Sequence, residues 1–258
     1  TDEKTSLQQF LQWLLYPNWM KYPKYNDSYY SNYINRISKL LAFHFFDGSN
    51  LFELKEELNS FRNEIYKNGS AIELLYSEII IAIALLRLKF SAWNTLPQYS
   101  GIEVEQWSDI IKRENFPKEL WPSQMKIGAQ GVFKGSSGII QMPTSAGKTK
   151  SVEIILRSAF LSNKTKLAVV IAPFRALCHE ISQTLKQAFM GDGVRVNELS
   201  DVLQLDFMME LSELLGKPKN IISSSILVVT PEKLLYLIRN KSSLSYHIKK
   251  KKKNEGHQ

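Results

Sequence analysis

The residues best placed to do chemistry in this sequence are Gly147, Lys148 and Thr149. They close the stretch Gln141-Met142-Pro143-Thr144-Ser145-Ala146-Gly147-Lys148-Thr149. Glycine lets backbone approach a bulky anion, a lysine ammonium can reach phosphate oxygens, and a threonine hydroxyl can hold Mg²⁺. The flanks supply the frame. Gly138 to Gln141 reads as a short buried strand, and Ser151 to Leu161, with Val152, Ile154, Ile155, Leu156 and Phe160, reads as a helix. A tight loop from strand end to helix start turns several N–H groups, and the positive end of the helix dipole, into one concavity suited to a polyphosphate. Thr144, Ser145, Ala146, Gly147, Lys148 and Thr149 are therefore the expected phosphate cradle, with Lys148 on the β/γ oxygens and Thr149 as the metal ligand. One position departs from the pattern, which asks for glycine where Met142 stands. Gly-Lys-Thr alone is a common tripeptide, and an ordinary β–α turn is the competing reading. The strand-like run before it and the helical run after it favour nucleotide phosphate.

The chain that must position this loop has 258 residues, 44% of them apolar, enough for one large domain or two smaller ones. No uninterrupted apolar run reaches the roughly 18 residues of a membrane span. The best candidate, Ile79 to Leu88, is short and flanked by charge at Arg87 and Lys89. The opening Thr-Asp-Glu-Lys is polar rather than a signal peptide, and its lack of methionine suggests a trimmed or incomplete chain. The single cysteine, Cys178, excludes an internal disulfide, fits a reducing cytoplasm, and sits in no nucleophile motif. The four histidines have no metal-ligand spacing. Of the net charge of +8, Lys249 to Lys253 supply five, leaving +3 elsewhere. The basic run can bind phosphates, but a solvated tail is the simpler reading.

Residues 1–115 read as an all-α domain. Leu7, Phe10, Leu11, Leu14 and Leu15 fall at helical spacing until Pro17. After the Tyr-rich stretch Tyr22 to Tyr33, whose rings read as core, helices are expected over Tyr30 to Phe46, Leu51 to Lys67 and Ala71 to Phe90. Ser70 with Glu73 forms a capping box for the last of these. Its apolar residues run nearly all round, which makes it the expected centre of a bundle. His44 reads as a packed core residue. Residues 91–120 read as a connector with a short helix around Trp107 to Arg113. Beyond Ile139 the period changes. Strands are expected at Lys166 to Ala172, Val194 to Leu199 and Ile226 to Thr230. Helices are expected at Arg175 to Phe189, Val202 to Leu215 and Glu232 to Arg239. Continuous apolar strands alternating with helices indicate an α/β fold with a parallel sheet covered on both faces. Ligands of such sheets bind at the carboxyl ends of the strands.

Further motifs stand at those ends. Leu120-Trp121-Pro122-Ser123-Gln124 precedes the loop. Ile171-Ala172-Pro173-Phe174-Arg175-Ala176-Leu177 puts an arginine and a helix N-terminus at a strand end. Leu199-Ser200-Asp201 follows the next strand, and Val228-Val229-Thr230-Pro231-Glu232-Lys233 the last. Read singly, the first is a Pro-started helix with an exposed glutamine and the last a well-capped helix. Their order resembles the first motor domain of superfamily 2 helicases, in the branch of archaeal repair helicases and RNA-exosome helicases. That resemblance covers about Leu120 to Lys233 and implies a RecA-like P-loop NTPase domain over 116–248. It makes Gln124 an adenine reader, since an amide offers both donor and acceptor. It makes Pro173, Arg175, Thr230 and Lys233 contacts to one nucleic-acid strand, with ATP and Mg²⁺ as cofactors. Ser200 stands where the branch has glycine, which weakens that motif.

The family's motif II is an apolar strand ending in Asp-Glu-x-His. Here residues 249–258 are a basic tail ending Asn254-Glu255-Gly256-His257-Gln258. By resemblance Glu255 would activate water, but Asn254 replaces the Mg²⁺-binding aspartate, and Lys250 to Lys253, standing in place of the apolar strand, do not suit a buried one. The match is either real and degenerate, or an accident. The second motor domain, which completes the ATP cleft in the family, is also missing from the sequence, so hydrolysis by this chain alone is expected to be negligible. The expected function is part of an ATP-dependent helicase or translocase acting on single-stranded or partly duplex nucleic acid. The helical half would dock a protein partner or gate the nucleic acid. Stand-alone helicases of this branch with such an extension occur in bacterial antiviral defence and repair, which is resemblance only. The alternative is a truncated, inactive helicase-like module with an interaction or regulatory role. A small kinase or GTPase would leave the Pro-Phe-Arg-Ala-Leu and Thr-Pro-Glu-Lys motifs unexplained.

Overall fold

In the computed structural model, residues 5–26, 29–143, 146–199 and 224–239 are described. The chain divides into two compact units, one ending at Ser151 and one starting at Val152. The helix expected over Val202 to Leu215, and Glu255, lie outside the described residues.

The first unit is built from helices α1 (Ser6–Leu15), α2 (Ser31–Asp47), α3 (Leu51–Asn68), α4 (Ala71–Phe90), α5 (Ala92–Ser100), α6 (Val104–Ile111) and α7 (Pro122–Ala129). Local chemistry sets their ends. Thr5 and Gln8 cap α1 reciprocally, and Ser70 and Glu73 do the same for α4. Gly48, at φ +81°, closes α2 in the left-handed conformation. Residues at helical spacing then build one core, among them Phe10, Leu14, Ile34, Leu41, Phe45, Leu54, Phe61, Ile65 and Ile80. Each such side chain contributes about 1.5–3 kcal/mol on burial. Tyr25 and Tyr30 of the Tyr-rich stretch join that core, while Tyr29 stays exposed. Arg87 ties α4 to the end of α1, donating to the carbonyls of Leu14 and Leu15 at 2.7 Å each and to Glu119 at 2.6 Å.

Three expectations need correcting in this unit. Helix α5 occupies the presumed connector despite Pro97 in its interior. Burial of Ala92, Trp93 and Leu96 along one face offsets the ladder bond that proline cannot make. Helix α4 is buried on one face only, through Ser77, Ile80, Ile81, Ala84 and Leu88; its opposite face is exposed. Gly138 to Gln141 is not a strand. Residues 134–141 are all exposed, and Ile139 is exposed to 101%. Two apolar residues between a glycine and Gln141-Met142-Pro143 cannot hold an extended segment without a neighbouring ladder, and the segment has no strand partner among the described residues.

His44 proves to be core. It is 1% exposed, with Nε2 3.0 Å from Ser91 Oγ. Burial holds its pKa down to about 4 from an ordinary 6.5, opposed only in part by the charge of Asp47 and helped by that of Lys55. The unfolded chain thus binds this proton more readily than the folded one. The stability is present above about pH 6.5 and is lost as pH falls towards about 4, by an amount on the order of 3 kcal/mol. Thermal melts followed by circular dichroism should show Tm falling as pH drops through that window. His44→Gln should flatten the dependence, and an unchanged slope would remove His44 as its cause.

The second unit carries the sheet. Helix α8 (Lys148–Leu161) runs into it from the first, followed by β1 (Leu167–Ile171), α9 (Arg175–Ala188), β2 (Arg195–Glu198), β3 (Ser225–Val229) and α10 (Pro231–Arg239). The described strands form a parallel sheet in the order β1-β3-β2, with Ile171 opposite Val229 and Glu198 opposite Val228. Leu156 and Phe160 of α8, and Cys178 and Leu185 of α9, pack on the face bearing Ile226 and Val228. Leu227 and Val229 on the other face meet Leu167, Leu199 and Leu234. That second face is only partly covered, since Val169 and Ile171 are exposed.

Charge is buried beneath the first face. The side chain of Arg157, 3% exposed, bonds Glu153 and Asp192 at 2.9 Å each and the Ala188 carbonyl at 2.6 Å. Its guanidinium lies 4.4 Å from the Phe189 ring centroid. One planar side chain therefore joins the middle of α8 to the end of α9, using hydrogen bonds at its edge and its face for the aromatic ring.

Candidate functional site

In the first unit, Gln124 and the Gly147 loop are brought together. Gln124 is 2% exposed, so the reading of an exposed glutamine on a Pro-started helix is overturned. Pro122 opens α7, and Gln124 Oε1 accepts from the Trp121 N–H at 2.9 Å, satisfying one of the helix's orphan donors. Its Nε2 donates to the Gly147 carbonyl at 3.4 Å, and Ser123 Oγ donates to the Ala146 carbonyl at 3.1 Å. The start of α7 thus supports the loop from beneath. Gly147 has φ +82°, a left-handed conformation, and a Cβ there would lie 2.9 Å from Gln124 Nε2. Glycine is required by both backbone and neighbour.

From Gly147 the chain enters α8 directly. Ser151 N–H and Oγ both donate to the Gly147 carbonyl, at 2.9 and 3.0 Å. Lys148 and Thr149 form the exposed first residues of the helix, where amides lack intrahelical acceptors and the dipole is positive. That is a setting for an anion, with an ammonium and a hydroxyl side by side. Thr144 and Ser145 lie outside the described residues; Ala146 is half-buried beside Gly147. Among the described residues no group of three or more His, Cys, Asp or Glu side chains could hold a metal. Mg²⁺ bound with a nucleotide takes most of its oxygens from phosphate and water, and the single Thr149 hydroxyl fits that sharing. Sequence reasoning passed over Trp121, whose indole is exposed and lies 3.9 Å from the position of a Cβ on Gly147. It offers an aromatic face beside the loop.

In the second unit, the parallel register brings two helix starts to one edge of the sheet. β1 runs through Ala172, whose N–H still reaches the Val229 carbonyl at 3.0 Å, and then Pro173 and Phe174 lead into α9. Pro173, Phe174 and Arg175 are exposed, and Phe174 gives α9 no side-chain cap, so the first-turn amides of α9 face outward uncapped by it. At the end of β3, Thr230 is buried and its carbonyl accepts the first helical bond from Leu234 at 3.0 Å, with Pro231 in the first helical position. Lys233 turns its ammonium to the Leu199 carbonyl at 3.1 Å, across the end of β2. Arg175 and the start of α10 are thus together at the carboxyl edge, as the strand-end rule anticipates. Ser200 and Asp201 lie outside the described residues. Cys178 is buried beneath α9, and burial pushes its thiol up, which suits a packing role. No helix of the described residues is long and apolar enough to cross a membrane.

Residues 121–251 match the DEAD/DEAH box helicase family. The chain is 31% identical over 139 residues to Hachiman protein HamB of Bacillus cereus, covering 54% of this chain and 12% of that protein. It is 27% identical over 145 residues to the ATP-dependent DNA helicase Hel308 of Pyrococcus horikoshii, covering 56% and 18%. It is 29% identical over 158 residues to the ATP-dependent rRNA helicase RRP3 of Meyerozyma guilliermondii, covering 60% and 29%. The chain therefore spans less than a third of the length of each of these relatives.

Proposed function

The chain belongs to the DEAD/DEAH box helicase family, and on that footing we propose that it is the nucleotide- and strand-binding portion of an ATP-driven helicase or translocase. The observation that carries the reading is the start of α8. Gly147, Lys148 and Thr149 head that helix inside the family match, with Gln124 seated against the same loop. In this reading residues 116–248 are the first motor domain and residues 1–115 an accessory domain that docks a protein partner. A cytoplasmic setting and a role in bacterial defence or repair belong to the same proposal.

Lys148 sets its ammonium on the β- and γ-phosphates of ATP, while the amides at the start of α8 hold the rest of the polyphosphate. Thr149 gives Mg²⁺ one oxygen; the ion, when bound, neutralises phosphate charge. Gln124 reads the adenine edge after releasing the Trp121 N–H and the Gly147 carbonyl, exchanging partners within its own reach. Trp121 stacks against the base. Arg175 and the N-terminus of α9, with Thr230 and Lys233 at the start of α10, hold backbone phosphates of one single strand or of a partly duplex substrate. Glu255 activates water in the complete enzyme.

A fluorescein-labelled oligonucleotide, DNA in one series and RNA in another, tests the strand site. Arg175→Glu should lower affinity about tenfold and flatten its salt dependence, since one phosphate contact is replaced by repulsion. Equal binding by the variant in both series would remove the α9 start from the strand path. A second reading, an inactive interaction module, is favoured by Asn254 and the lysine run before it. Nucleic-acid-stimulated ATP turnover by this chain would exclude it.

A further inference from the structure

A cleft of about 560 Å³ opens on the first unit, between the end of α2, α5 and the start of α6. Asp47 lines it from α2, Trp93, Asn94 and Pro97 from α5, and Val104 and Glu105 from α6. Contacts within the fold fix these walls. Trp93 Nε1 donates to the Phe45 carbonyl at 3.4 Å, and Gly48 closes on the indole so tightly that a Cβ would lie 2.7 Å from it. Asn94 Nδ2 donates to the Leu88 carbonyl at 2.9 Å, and Trp107 Nε1 ties α6 to Ser100 Oγ at 3.1 Å. The cleft is therefore preformed. It lies outside residues 121–251, so it is no part of the family match.

Its chemistry is one-sided. Asp47 and Glu105 reach it exposed, from two different helices, and among the described residues neither is in an ion pair. Asp47 ends α2, at the negative end of the helix dipole, where a carboxylate is disfavoured. One of its oxygens accepts the Ser49 N–H at 2.9 Å, which leaves the other for a ligand. Pro97 has no N–H, so the carbonyl of Trp93, four residues back, lacks its ladder donor. Trp93, Pro97 and Val104 add apolar wall beside these acceptors.

We propose that this cleft docks an arginine side chain presented by a protein partner. Charge complementarity selects a cation, and the unfilled acceptors select one rich in donors. A guanidinium brings five N–H groups in a planar fork that matches carboxylates, and its apolar stem lies along the Trp93, Pro97 and Val104 wall. Lysine brings only a compact, strongly hydrated point charge. The shape of the cleft decides the source. Small-molecule sites bury most of their ligand, whereas this cleft is open to solvent along one side. A side chain enters it while its main chain stays on the partner. The proposal rests on the docking role given above to residues 1–115 and names what is recognised. It is independent of the nucleotide and strand sites.

The test titrates the full nitrogen-15-labelled chain with the capped peptide acetyl-Ala-Arg-Ala-amide. Five tryptophans give five indole N–H signals, and Trp93→Phe assigns the one at the cleft. That signal should move saturably at millimolar peptide, the strength expected of one side chain in an open site. The citrulline peptide, neutral but of the same shape, should not move it, and the lysine peptide should bind about fivefold more weakly. Asp47→Asn and Glu105→Gln should each weaken arginine binding about fivefold. Asparagine keeps an acceptor for the Ser49 N–H and Glu105 is exposed, so folding should be unchanged; either variant suffices if the other does not fold. Free arginine, whose own carboxylate the cleft repels, should bind more weakly than the peptide. A Trp93 signal that stays still, equal binding of the citrulline peptide, or wild-type affinity in both variants would each overturn the proposal. Free arginine binding as tightly as the peptide would overturn the protein source. ATP binding is read on the same sample. An intact nucleotide site without arginine binding would sink the cleft alone, and the reverse would sink the motor reading alone.

Discussion

Replacing Lys148 by alanine is expected to lower the affinity of the chain for Mg·ATP by about 100-fold, the loss of a charge-assisted contact to phosphate. Titration calorimetry, or a fluorescent ATP analogue, reads this directly. The variant is a clean one. Lys148 is the exposed first residue of α8, so its side chain holds no core together, and Tm should be unchanged. A comparison with Lys148→Arg separates charge from shape: the guanidinium keeps the charge but not the compact ammonium, and recovery should be partial. ATP affinity equal to wild type in Lys148→Ala would mean that the loop holds no phosphate.

The second large effect belongs to Arg157 and to stability. Arg157→Met removes the cation from between the buried Glu153 carboxylate and the half-buried Asp192 carboxylate. Breaking one side of a buried ion network costs about 3–5 kcal/mol. Urea unfolding followed by circular dichroism should show the loss. Adding Glu153→Gln and Asp192→Asn to Arg157→Met should recover much of it, because neutral amides no longer strand charge in the core. Arg157→Lys should fall between, as an ammonium cannot bond two carboxylates and a carbonyl while stacking on Phe189. An Arg157→Met chain as stable as wild type would show that the network contributes no net stability.

What the sequence could and could not disclose follows from the range of each interaction. β1 and β3 are legible because runs such as Leu-Ala-Val-Val-Ile, bounded by breakers, declare a strand by local composition alone, though not which of its faces is covered. The parallel register that brings Arg175 and Thr230 to one edge follows from alternation of strands and helices. Gly138 to Gln141 has the composition of a strand but not its partners, and pairing is not a local property. Pro97 hides α5, since its cost is visible in sequence and the burial that offsets it is not. For α4, periodicity announces apolar residues all round without saying which side is covered. At the site, Gly147, Lys148 and Thr149 announce themselves by type and spacing, whereas the Trp121 and Gly147 partners of Gln124 appear only once α7 is set against the loop. Glu153 and Arg157, one helical turn apart, are readable as a pair, but Asp192 lies 35 residues on.

The order β1-β3-β2 bears on how this protein emerges from a ribosome. Of the described strands, the two made first are not neighbours, and the one that joins them, Ser225–Val229, is made last. Until it arrives, β1 and β2 have no ladder with each other, and α8 and α9 have only part of a surface to pack on. Among the helices before Ser91, α2, α3 and α4 pack on their neighbours in the chain and can form while synthesis continues, whereas α1 waits for α4. Translation thus delivers a helical leading segment attached to a trailing one in which the apolar β1 waits for β3 over more than fifty residues, the interval from Ile171 to Ser225. It is in that interval, rather than in the finished molecule, that the nascent chain is most open to aggregation and to chaperone capture.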